Sequence, residues 1–140
     1  MKPTVLIAVT AVMLVASACG GGPSASDKAK SQVCSAKSDI QKQITTLKAM
    51  TPSTFTVSGI QNALKAIEGD LSTIAQAQGQ LSSDRKQQVQ AANTAFKQAL
   101  SQTVSDLATS LSAQNAASHV QTALGKLASS YESAFSAVSC

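Results

Sequence analysis

Apolar residues recur at helical spacing four times along this chain, after an unbroken apolar run near its start, and no stretch alternates like a strand. The first periodic segment covers about residues 26–50, with Val33, Ile40, Ile44 and Leu47 on one side. Thr51-Pro52-Ser53 ends it, because the residue before a proline is pushed out of the helical region. In the second, Ile60, Leu64, Ile67, Leu71 and Ile74 follow a heptad-like 4-3-4-3 rhythm. Thr56 is its expected N-cap and Phe55 can staple onto Ile60 across that cap. Gly79 is its expected stop, free to turn left-handed after the last turn.

The third segment starts near Ser82 or Ser83, with Asp84 at the positive helix start. It places Val89, Ala92, Phe96, Leu100, Val104, Leu107 and Leu111 on one seam. The fourth starts at Ser112 or Asn115 and carries Val120, Leu124, Leu127, Tyr131, Phe135 and Val138. Gly125 inside it costs about 1 kcal/mol relative to alanine; it either admits a closely approaching neighbour helix or is simply tolerated. Narrow seams flanked by alanines suit a slim bundle with crossing angles of about 20°. The expected fold is all-α, an antiparallel up-down-up-down four-helix bundle.

Two cysteines test that topology. Cys34 lies early in the first segment and Cys140 is the last residue. With four antiparallel helices both fall at the same end; with three they would be separated by about 30 Å at a rise of 1.5 Å per residue. A disulfide requires Cα atoms within about 7 Å, so an even helix count and a Cys34–Cys140 bridge support one another. No Cys-x-x-Cys pair points instead to metal binding or redox catalysis.

The apolar run at residues 5–16 follows Lys2 and is too short to span a bilayer comfortably, but is the length of an export-signal core. Ala16-Ser17-Ala18-Cys19 resembles the bacterial lipobox, in which a peptidase cuts before a cysteine that carries diacylglycerol. Ala16 stands where that motif most often has leucine. Ala16-Ser17-Ala18 is also the small-x-small pattern cut by ordinary signal peptidase, which would release a soluble protein. The chain has three cysteines, so acylation of Cys19 leaves Cys34 and Cys140 to pair and removes the odd thiol. Residues 1–18 are thus read as signal peptide, 19–26 as lipidated cysteine and Gly/Ser tether, and 27–140 as the bundle. One acyl chain is a marginal anchor and two or more hold stably.

Without the signal, roughly 120 residues remain, one domain with a modest core. Net charge is +4 including Lys2, so the mature chain carries 4 − 1 = +3. Lys28, Lys30, Lys37, Lys42 and Lys48 concentrate in the first helical segment. They read as a solvated face, or as attraction to anionic headgroups or acidic wall polymer near the anchor. Aromatics are only 3% of residues and no dense basic patch exists, which argues against nucleic acid as a partner.

No catalytic constellation emerges. His119 is the one histidine, there is no Gly-x-Ser-x-Gly turn, and Glu68 and Asp70 diverge on a helix at i and i+2. Glu-x-x-His pairs and a phosphate-cradling glycine loop are missing, so no metal or cofactor residue is assigned. Tyr131 and His119 are residue types that ligate haem, yet twelve positions apart on one helix they cannot clasp one iron.

The lipobox-like quartet, the Val33-Cys34 helix opening, Leu64-Lys65-Ala66-Ile67, Asp84-Arg85-Lys86-Gln87-Gln88-Val89 and a tyrosine-containing last helix ending in Cys140 together resemble small exported lipoproteins of high-GC Gram-positive (actinobacterial) bacteria. The resemblance implies fold and location and transfers no catalytic residue. The expected function is that of a non-enzymatic cell-envelope lipoprotein, held at the outer face of the cytoplasmic membrane and acting on an envelope protein partner. The alternative is a secreted or anchored carrier of an apolar small molecule or haem.

Overall fold

The computed structural model describes residues 21–51, 53–110 and 116–140. Within them the chain forms four α-helices and no strand: α1 (Ala25–Ala49), α2 (Val57–Ala77), α3 (Ser83–Ser110) and α4 (Ala116–Phe135), with a 3-10 turn at Gln78–Gln80 between α2 and α3. Helices α1 and α2 pack closely as one hairpin and α3 and α4 as another. Looser α1–α4 and α2–α3 contacts close the ring, while diagonal helices make no close backbone approach. This is the all-α four-helix bundle that the periodicity predicts.

Each helix starts where its sequence satisfies the orphan N–H groups. Ser24 caps α1: its hydroxyl accepts from the Asp27 N–H, and the Asp27 carboxylate accepts from the Ser24 N–H, a closed capping box. The helix therefore begins at Ala25, slightly ahead of the start expected from the apolar spacing. Thr56 caps α2 through the Gly59 N–H, and Phe55 packs against the core that contains Ile60. At the end of α2 the structure corrects one expectation. No described glycine has positive φ, so Gly79 makes no left-handed stop. The helix instead tightens into the 3-10 turn, where the Leu81 N–H bonds the Gln78 carbonyl and satisfies a terminal acceptor without αL geometry.

The core is one contiguous cluster from all four helices. The seams of α1, α2 and α4 contain the apolar residues that their spacing predicts, and Ala29, Ala36, Ala63, Ala123 and Ala128 join them. Helix α3 departs from its predicted seam. Val104 is 48% exposed, and Thr103 is buried in its place. The 3-4 step from Leu100 through Thr103 to Leu107 keeps the seam on the partner helices, and the Thr103 hydroxyl is satisfied by donating to the Ala99 carbonyl. Leu111 and the expected α4 start at Ser112 or Asn115 lie outside the described residues.

Gly125 admits no closely approaching helix, because a Cβ built there meets nothing within 4 Å. Gly125→Ala is therefore expected to stabilise the bundle by about 0.5–1 kcal/mol through helix propensity alone. The check is a urea midpoint that rises at constant m-value.

Candidate functional site

The residues with chemistry worth following gather at one end of the bundle. There α1 begins, the 3-10 turn crosses between α1 and α3, α3 begins and α4 ends. A Cys34–Cys140 disulfide joins the two chain regions, with Cα atoms 5.6 Å apart. Cys34 is half-buried and Cys140 exposed. The even helix number makes this meeting possible, as the sequence argument requires.

Two hydrogen bonds centred on Lys37 fasten the same corner. The Tyr131 hydroxyl donates to the Lys37 carbonyl at 2.7 Å, and the Lys37 ammonium donates to the Val138 carbonyl at 2.6 Å. The chain beyond α4 is thereby held against α1, with Val138 buried between them. Below this corner Tyr131 stacks into an aromatic cluster, its ring 5.5 Å from Phe96 (edge-on) and 5.2 Å from Phe135. Edge-to-face pairs of this kind stabilise beyond the area they bury.

Burial pushes the Tyr131 phenol up from 10.0 to about 12. Below pH 10.0 folded and unfolded chains both carry the neutral phenol, so the contribution of Tyr131 is intact. Between pH 10.0 and about 12 the unfolded phenol ionises while the buried one does not, and stability is lost as pH rises through that window. Tyr131 is the one tyrosine, so near-ultraviolet phenolate absorbance reports it alone. The expected result is a midpoint near 12 in the native chain, or ionisation coincident with unfolding; a reversible midpoint near 10 in folded protein would contradict the burial.

A groove of about 250 Å3 opens beside the disulfide. Val33, Leu81, Val89 and Val138 form its aliphatic floor, and Lys30, Arg85 and Asp84 are its ionisable walls. The nearby Asp27 carboxyl is held below the usual range first by its hydrogen bonds with Ser24 and further by the positive charges of Lys30 and Arg85.

Other sequence candidates stay apart. His119 is exposed at the opposite end of α4, about 18 Å along the helix from Tyr131 at 1.5 Å per residue. The Tyr131 hydroxyl is already committed to Lys37, so the two do not converge on a common point. Asp70 has its carboxyl pushed up, by burial and then by the charge of Asp39 across the α1–α2 face. Among the described residues no three His, Cys, Asp or Glu side chains gather as metal ligands would. No described helix is long and apolar enough to cross a membrane. Cys19 lies outside the described residues.

Sequence reading missed the corner made by Lys37. A lysine on a polar helix face gives no local sign that it will meet a carbonyl 101 positions away. Comparison with protein-family models, curated proteins and solved structures yields no match.

Proposed function

We propose that this chain is an exported, non-enzymatic lipoprotein, acylated on Cys19, that presents a disulfide-closed helical bundle at the outer face of the cytoplasmic membrane as an interaction module for an envelope protein. The observation that carries the reading is the Cys34–Cys140 bridge. Disulfides persist in oxidising compartments outside the cytoplasm. This one uses both cysteines of the bundle, leaving Cys19 as the sulfur available for a lipid. It also sits at the end from which the short N-terminal connection leaves, so the anchored end is the covalently closed one. The carrier of an apolar molecule or haem is second, because Phe96, Tyr131 and Phe135 fill the interior where such cargo would lie.

Cys19→Ser tests the anchor. The expected outcome is protein released into the medium or an unprocessed precursor; a cleaved form that stays in the membrane fraction contradicts acylation. Crosslinking in the host should recover a defined envelope protein with the wild-type chain, and repeated recovery of none counts against an interaction module.

A further inference from the structure

The groove beside the disulfide has a composition that the anchor alone does not require. Lys30 and Arg85 come from different helices, α1 and α3, and the 3-10 turn brings their starts to the same end of the bundle. Both are half-buried and line the groove together with Val33, Leu81, Val89 and Val138. Neither makes an ion pair among the described residues, where the one ion pair is Lys42 with Asp39. Lys28 and Lys86 are exposed beside them. Asp84 shares the wall and the ionised Asp27, bonded to the Ser24 cap, lies near both cations, so these four charges balance; with Lys28 and Lys86 this end of the bundle carries an excess of two positive charges.

We propose that this groove seats the headgroup of an anionic phospholipid, so that the bundle stands end-on against the membrane that holds its lipid anchor. The inference rests on the anchoring of Cys19 proposed above. Four residues lie between Cys19 and the Ser24 cap, and the five steps from one to the other span at most about 18 Å when extended. Lys30 lies about 9 Å up α1 from that cap, and Lys48 about 36 Å, at 1.5 Å per residue. The tether therefore keeps Lys28, Lys30, Arg85 and Lys86 within reach of the surface, and Lys48 is at the far end. Cations above an aliphatic floor suit an amphiphile: the phosphate meets Lys30 and Arg85, and the glycerol backbone lies on the floor at Leu81, its partly exposed residue, with the nearly fully buried valines beneath. Water-soluble anions would use the cations and have no use for the floor.

The test uses the acylated protein from its host, placed in vesicles of phosphatidylcholine alone or mixed with phosphatidylglycerol, and labelled with a membrane-impermeant amine reagent. Lys28, Lys30 and Lys86 should label several-fold more slowly on the anionic vesicles, since each cation near such a surface shifts the contacting population roughly fivefold. Lys48 should label equally on both. The double variant Lys30→Gln, Arg85→Gln should return Lys28 to its phosphatidylcholine rate while the protein stays vesicle-bound. Equal labelling of Lys30 on the two vesicle types, with the protein retained on both, overturns the proposal and leaves the anchor standing. Loss of the protein from phosphatidylcholine vesicles would instead count against the anchor. Protection of Lys30 by inorganic phosphate on phosphatidylcholine vesicles, equal to that by phosphatidylglycerol, would assign the groove to a soluble anion and overturn the lipid assignment.

Discussion

Phe96→Ala is expected to lower stability by about 3–5 kcal/mol, the range for truncating a fully buried aromatic side chain. Phe96 is 0% exposed and sits centrally in the core. Its ring meets Tyr131 at 5.5 Å and Phe135 at 5.9 Å, both edge-on. The molecule has few aromatic rings, and three of them meet here. Around them the seams are rich in alanine, whose side chains cannot extend to refill the space, so the cavity term persists. At about 4 °C per kcal/mol for a domain of this size, the melting temperature should fall by about 12–20 °C. Phe96→Leu should cost less, because much of the volume is kept. Circular dichroism melts and urea titrations of both variants decide the matter. A loss well under 1 kcal/mol for Phe96→Ala would mean a loosely filled interior, and would move the carrier reading ahead.

Cys140→Ser is the second large effect, with an expected loss of about 2–5 kcal/mol. The bridged residues are 106 apart in sequence, so the cross-link constrains nearly the whole unfolded domain. On the chain-entropy account the upper part of that range applies, although strain and residual structure commonly reduce it. Helix content should hardly change, because the Tyr131 and Lys37 hydrogen bonds and buried Val138 still dock the end of the chain onto α1. Reduction of the wild-type chain should reproduce the loss. An unchanged melting temperature in Cys140→Ser would mean that the bridge does not form in the native protein.

Much of this architecture is legible in the residues because heptad-like spacing and burial coincide. Ile60, Leu64, Ile67, Leu71 and Ile74 are buried in the predicted rhythm, as are Val120 through Val138 on the last seam. The Cys34–Cys140 pairing is legible for the same reason, since helix count alone decides which ends meet. Where reading failed, equal local signals had different tertiary outcomes. Val104 and Thr103 each continue the spacing from Leu100; the packing of α3 against its neighbours chose the threonine, whose hydroxyl bonds back to the helix. Asn93 is buried in the same seam with its Oδ1 unpartnered among the described residues, a position that a search for apolar periodicity passes over. Gly79 carries the composition of a left-handed stop, but a 3-10 turn satisfied the same carbonyl. The groove was least legible. Lys30, Leu81, Arg85 and Val138 are scattered over most of the domain, and only the antiparallel fold makes them one surface.

The most direct test of the account is the intact mass of the protein extracted gently from its host's membranes. The predicted species is a chain that begins at Cys19, carries the mass of two or more acyl chains, and is two hydrogens lighter for the Cys34–Cys140 bond. A chain without acyl mass, or one with free thiols at Cys34 and Cys140, would contradict the anchored, disulfide-closed bundle.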